Sequence, residues 1–256
     1  MNPHFYKNDW LFELTMPEYE IDTFGGKIGE LRKVDTDIAG KDVFDLDEFK
    51  PYCAANKILS CTFRGKEDIK LVRYLNEIGF MFVGTFFSLS CDRNDFKKIE
   101  IGNNLKVTEA NKNEFNKVLD IELKVFDYSS YQLDPMFPLD TTSKRNVKRV
   151  AFYFNNPDHH LFVIKKDEQI LGFIQFLYDT KAGIASAVNG AIDPDFHEQL
   201  VGSKMYSDSF ASIFNQNINK IVSHVCAQNV RALKIHLATN FKIIDHELHL
   251  RAKYAK

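Results

Sequence analysis

From residue 105 onward the apolar positions switch between a period of two and a period near 3.6, and the switches predict the elements in order. "LKVTEA" (105–110) reads as a strand, and "NKNEFNKVLDIELKVF" (111–126) as an amphipathic helix capped by Asn111 or Asn113. The Pro- and aromatic-containing stretch 127–140 reads as a loop, and 141–156 as a second helix with Lys144, Arg145, Lys148 and Arg149 on its polar positions. "HHLFVIKKDEQILGFIQFLYD" (159–179) is an apolar strand, a Lys-Asp-Glu-Gln turn and another strand, and 184–193 adds a third. A helix at about 202–217, a strand at 220–228, a helix at 229–240 and final strands within 241–254 complete the series.

The first third is less regular. "IDTFGGKIGELRKV" (21–34) reads as a Gly-Gly turn into a strand, and 45–64 as a helix with an Asp cap followed by a strand. In 66–80 an amphipathic helix is expected, with Ile69, Val72, Leu75 and Ile78 on one face and Gly79 at its end. A long apolar strand covers 80–91, and the polar stretch 92–104 is a candidate linker between an N-terminal domain (1–98) and a second domain (99–256). The order as a whole predicts an α/β architecture with a mixed central sheet flanked by helices. "YLNEIGFMFVGTFFSL" and "IHLATNFKIIDHELHL" share an echo, helix end, Phe, then strand, with Phe80 to Leu89 and Phe241 to Leu250 equally spaced.

Composition narrows the function classes. Hydrophobic residues make up 45% and the net charge is −2, so no global basic field points to nucleic acid or to an acidic membrane surface. No apolar run is long enough for a membrane helix, and the start "MNPHFYKNDWLFE" lacks a leader pattern. Phenylalanine (23) far outnumbers tryptophan (1), which predicts an aromatic core. Cys53, Cys61, Cys91 and Cys226 show no metal spacing, and free thiols suit the cytoplasm. His246 and His249 fall on opposite faces of a strand, so no metal is expected there.

Three places carry a family resemblance. "VNGAIDPDFHEQLVGSKMY" follows a strand–turn–strand; Asn229, Ala232 and Phe241 fit the spacing Asn-x-x-Ala-x-x-x-Tyr-x-x-x-Gly-Phe; and "FDYSSYQLDPMFP" (126–138) joins "IDTFGGKIGEL" and "LNEIGFMFVGT". The first two resemble the GCN5-related N-acyltransferase superfamily over 105–254. The third looks like its two-domain dTDP-4-amino-sugar acetyltransferases, such as dTDP-fucosamine acetyltransferases, in which a partial acyltransferase-like domain precedes the catalytic one. The phosphate loop departs from the pattern, since His197-Glu-Gln-Leu200-Val-Gly202 keeps only the last small residue. His236 stands where the family has tyrosine, and Asn240 where it has glycine.

The resemblance implies acetyl-CoA as acyl donor and direct transfer to an amine. Backbone amides of Ala191, Ile192 and Asp193 would hold the thioester carbonyl. Leu200, Val201, Gly202, Ser203 and Lys204 would meet the pyrophosphate at a helix N-terminus. Asn229 would hydrogen-bond the pantetheine, cap its helix, or both. His236 would protonate the thiolate, and His197, Asp193, Asp134 or a water chain would take the amine proton. Tyr128, Ser129, Tyr131, Asp134 and Arg145 would meet a nucleotide-linked amino sugar, and a homodimer is conceivable. Two alternatives stand beside this reading: another small or protein amine as acceptor, and a degenerate member that binds without turnover.

Overall fold

The computed structural model describes residues 2–16, 26–34, 42–66, 68–102, 104–125, 128–196 and 199–254. The chain forms two compact units, one gathering 1–86, 133–141 and 246–256, the other 87–132 and 142–245.

The first unit begins with a hairpin of β1 (His4–Lys7) and β2 (Trp10–Thr15), turning at Asn8 with φ 54°. An asparagine tolerates that left-handed conformation better than most residues. β3 (Lys27–Lys33) follows antiparallel to β2, and β4 (Val43–Asp45) pairs parallel with β1. The Gly-Gly turn expected before β3 begins outside the described residues. Asp45 then caps a 3-10 turn by accepting from the Asp47 amide, and α1 (Phe49–Ala55) leads to β5 (Ile58–Gly65), parallel to β3. Asp68 caps α2 (Ile69–Glu77) through the amides of Lys70 and Leu71. Its buried residues are Leu71 and Leu75; Ile69, expected on the inner face, is 62% exposed because it sits where the helix first emerges. β6 (Met81–Asp92) starts in this unit and ends in the second. The core is aromatic as expected: Phe5, Phe12, Phe49, Phe63 and Phe80 are buried together, with Phe5 edge-on to Phe49 at 4.8 Å.

The second unit holds β7 (Leu105–Glu109), α3 (Phe115–Lys124), most of α4 (Leu139–Phe154), β8 (His159–Lys166), β9 (Gln169–Asp179), β10 (Ile184–Ile192), α5 (Gln199–Phe214), β11 (Lys220–Cys226), α6 (Val230–Ala238) and the start of β12 (Lys242–Lys253). Strands β7 to β10 pair antiparallel in sequence order, whereas β10 pairs parallel with β11. β9 explains its near-continuous apolar run by its neighbours. Leu171, Ile174 and Phe176 face the cluster under α5, while Ile170 and Phe173 face the one under α3 and α4. Asn111 and Glu114 form a capping box ahead of α3.

The polar stretch 92–104, expected as a linker, is held to this second unit. Arg93 N donates to Asn219 O (2.8 Å), Lys97 N to Thr239 O (3.2 Å) and Ile99 N to Ser207 Oγ (2.8 Å). Its backbone is bonded while its polar side chains face outward, so composition alone looked like a tether.

The order β-β-β-α-β-α-β occurs twice, with β4 as an insertion in the first copy. The echo around Phe80 and Phe241 is the join of the second helix to the last strand in each copy, and Leu89 and Leu250 are both fully buried. The end of β12 returns to the first unit, where Leu248 to Lys253 pair antiparallel with Gly65 to Ser60 of β5. Arg251, with no exposure, bonds Thr62 Oγ1 at 2.9 Å and stacks over Phe137.

Candidate active site

β10 is the strand where the second unit opens. It pairs with β11 over four positions, Ile184↔Lys220 to Ala187↔Ser223, while its other edge stays with β9 as far as Ile192↔Gly172. The β9 register slips between Ala187 and Asn189, a bulge that bends and twists the strand. Residues 189–192 therefore continue beyond the pairing with β11; on that edge Gly190 N donates to Asn189 Oδ1 at 2.9 Å, and no strand pairs with them among the described residues. The matching place in the first unit is closed, because β3 and β5 stay paired from Ile28↔Ser60 to Arg32↔Arg64.

Backbone direction sorts the expected oxyanion donors. Asp193 N donates to Leu171 O at 2.8 Å, so its amide is spent on β9. By the two-residue period Ala191 faces β9 as well, and the Ile192 amide faces the opening. The Asp193 side chain is also committed, accepting from Asp195 N at 3.2 Å and lying 3.7 Å from Lys124 Nζ. Those contacts shape the 3-10 turn Pro194–Phe196 and argue against Asp193 as the base.

α5 starts at Gln199, earlier than periodicity suggests, because the polar start gives no apolar repeat to read. His197 lies outside the described residues. The free amides of the first turn belong to residues 199–201; those of Gly202, Ser203 and Lys204 lie further in and bond within the helix. Leu200 is exposed and Val201 is buried in the core. A Cβ on Gly202 would meet Ile235 Cδ1 at 3.6 Å and Ile192 Cγ1 at 3.8 Å, ordinary contact, so an alanine fits there. Lys204 Nζ bonds Asp208 at 2.8 Å and Ile101 O at 3.4 Å. The point charge expected at the phosphate is thus directed along the helix, away from its N-terminus.

His236 is not displayed in the opening. It is buried on α6 among Tyr206, Phe210 and Phe241, with Nδ1 2.8 Å from Ala232 O. A carbonyl only accepts, so Nδ1 carries the proton, and Nε2 has no partner among the described residues. Burial pushes its pKa down to about 4. At neutral pH this imidazole is neutral and its one N–H is held by Ala232 O, which argues against the acid role expected from its sequence position. Asn229 accepts from Ala232 N at 3.2 Å and caps α6, the local half of its expected role.

A residue that sequence reasoning passed over stands at the bulge. Glu122 on α3 is fully buried, and its Oε2 accepts from Asn189 Nδ2 at 3.0 Å. A signal existed: Val118, Ile121, Glu122 and Val125 share one helical stripe, and an acid on an apolar stripe is unusual.

The expected acceptor residues are divided. Tyr128, Ser129, Tyr131 and Arg145 belong to the second unit, whereas Asp134 belongs to the first. Arg145 is buried with its guanidinium 4.3 Å over the Tyr131 ring, so α4 carries it on its inner face and not on the expected polar one. Ser129 Oγ accepts from Gln132 N at 3.2 Å. Asp134 is buried, accepts from Met136 N at 2.9 Å and lies 3.7 Å from Arg251.

Comparison with known proteins places this geometry. The family model described as "Acetyltransferase (GNAT) family" matches residues 126–241. A GCN5-related N-acetyltransferase from Kribbella flavida superposes with a TM-score of 0.61 at 12% identity, covering 97% of this chain and 88% of that one. One from Sphaerobacter thermophilus gives 0.64 at 8%, covering 96% and 77%. A tandem GNAT protein from the clavulanic acid biosynthesis pathway gives 0.62 at 8%, covering 96% and 79%. A search of the curated proteins found no match. At such identities these structures speak to fold, while the family model speaks to the segment holding β10, α5 and α6. Residues 126–241 carry the match to the acetyltransferase (GNAT) family, and the chain is an N-acyltransferase whose co-substrate is acetyl-CoA.

Proposed function

We propose that the protein transfers the acetyl group of acetyl-CoA directly to the amine of a nucleotide-linked amino sugar. The observation that carries the donor half is the edge of β10 at 189–192 that β11 leaves without a partner strand, leading into the free amides of α5 at 199–201. An extended pantetheine arm suits an open strand edge. Two phosphates suit a helix N-terminus, where backbone amides serve whatever the side chains are, so the altered phosphate loop does not remove the site. The Ile192 amide then polarises the thioester carbonyl.

Glu122 takes the proton as the amine attacks, in place of His197, Asp193 or Asp134. Its carboxylate is buried beside the bulge, and Asn189 orients it. The acceptor half rests on the resemblance of 126–138 to amino-sugar acetyltransferases. Tyr128 and Ser129, both half-buried, are the side chains offered to a sugar or base, while Arg145 stacks on Tyr131 in the interior. The four cysteines are buried free thiols, which supports a reducing, cytoplasmic setting.

Calorimetry with acetyl-CoA tests the donor half, with micromolar binding expected. Initial rates with dTDP- and UDP-amino sugars against simple amines and peptides test the acceptor; preference for simple amines or peptides rejects the sugar nucleotide. Glu122→Gln should lower kcat about 100-fold with acetyl-CoA affinity unchanged. An active Gln variant would return the base to solvent.

A further inference from the structure

The departing thiolate needs a proton, and residue 236 does not supply one. A hydroxyl stands beside it on another helix. Tyr206 of α5 packs its ring on His236, with centroids 5.3 Å apart, and on Phe210 at 5.7 Å. Its Oη lies 3.0 Å from where a Cβ on Gly190 would be, so the hydroxyl rests on β10 within the stretch that has left β11. Among the described residues no hydrogen bond engages it.

The distances agree with a ligand laid along this edge. Gly190 is two residues back from Ile192, about 7 Å along a strand. Tyr206 is seven residues from the start of α5, about 10 Å along a helix. A chain leaving the α5 N-terminus and following 192 toward 189 therefore passes the hydroxyl at the level of Gly190, about 7 Å beyond the Ile192 amide. Gly190 is what admits it, since any side chain there would press on Oη. Burial pushes the phenol up to about 12, which keeps its proton on at neutral pH.

We propose that Tyr206, delivered from α5, is the proton donor to the CoA thiolate, replacing the family's tyrosine at position 236. This rests on the acyl-transfer reading above. The amine nitrogen bonds the acetyl carbon, the C–S bond breaks with its electron pair on sulfur, and sulfur takes the phenolic proton. The phenolate recovers a proton from solvent, and the proton lost by the amine goes to Glu122. The products are the amide and free CoA.

An equilibrium test needs no acceptor. Calorimetry compares CoA with desulfo-CoA, which lacks only the sulfur. A hydroxyl–sulfur contact predicts that the wild type prefers CoA about fivefold, the worth of one modest hydrogen bond. Tyr206→Phe should erase the preference and leave desulfo-CoA affinity unchanged, whereas His236→Phe should keep it. Should Tyr206→Phe fail to fold, Gly190→Ala, which crowds Oη, should erase it instead. Equal binding of both ligands by the wild type, or a preference that survives in a folded Tyr206→Phe (or, where that variant does not fold, in Gly190→Ala), overturns the assignment while leaving the donor site standing. Binding of neither ligand by the wild type overturns the donor site and the assignment with it.

Discussion

His236 illustrates how one side chain can occupy a catalytic position and serve packing instead. Its pKa near 4 in the folded protein lies below the unfolded value of about 6.5. Below pH 6.5 the unfolded chain therefore binds a proton that the native state refuses, and stability falls as pH drops toward 4. Chemical denaturation at pH 7 and pH 5 should show a loss of about 1–2 kcal/mol from this residue at the lower pH, and His236→Phe should flatten that slope. A variant as pH-sensitive as the wild type would show the imidazole to be less buried than described. Residues whose role is local were legible in the sequence: Asp45, Asn111 and Asn229 cap as their spacing says. Residues whose role depends on which face meets the core were not. Arg145 looks like a surface charge until α4 is docked, and Ile69 looks buried until α2 begins.

At the scale of elements, the opening is made by a bulge and two glycines on neighbouring strands. Gly172 on β9 sits against β10 so closely that an added Cβ would lie 2.6 Å from Ala191 O and 3.2 Å from Ile192 Cα, both backbone atoms. Gly172→Ala must push β10 toward the gap. It should destabilise the protein by about 1–3 kcal/mol, as overpacking does, and weaken acetyl-CoA binding severalfold. Thermal melts and calorimetry on the same preparation separate the two effects, and unchanged affinity would detach β10 from the donor site. Gly202, which carries the motif resemblance, is by contrast the tolerant one, because a helix N-terminus binds through amides that alanine also has. From residue 105 to α6 the strand–helix order was readable from periodicity, including β8 to β11, whereas β1, β2 and β4 were not read and the final strands expected in 241–254 are one strand, β12. The end of the β10–β11 pairing after Ala187↔Ser223 was not readable, since partner strands far apart in sequence leave no mark in either one's alternation.

At the scale of the molecule, the two copies of the β-β-β-α-β-α-β order are completed by an exchange: the first unit takes its last strand from residues 246–253. Leu250 and Ala252 join its core, and Ser60 Oγ bonds Ala252 O at 2.9 Å across 192 positions of sequence. Removing residues 246–256 should therefore unfold the N-terminal unit, although every deleted residue is remote from it in sequence. Limited proteolysis would report the change as new cleavage within 1–86, and unaltered resistance would mean that β12 is dispensable there. During synthesis at roughly 5–20 residues per second, the edge of β5 waits about 10–40 s for that partner. Throughout this interval a finished-looking hairpin layer exposes an unpaired strand, the template on which other nascent chains add. The order of the elements thus makes the ribosome's pace, and any chaperone that shields an open sheet edge, part of what decides the yield of the enzyme.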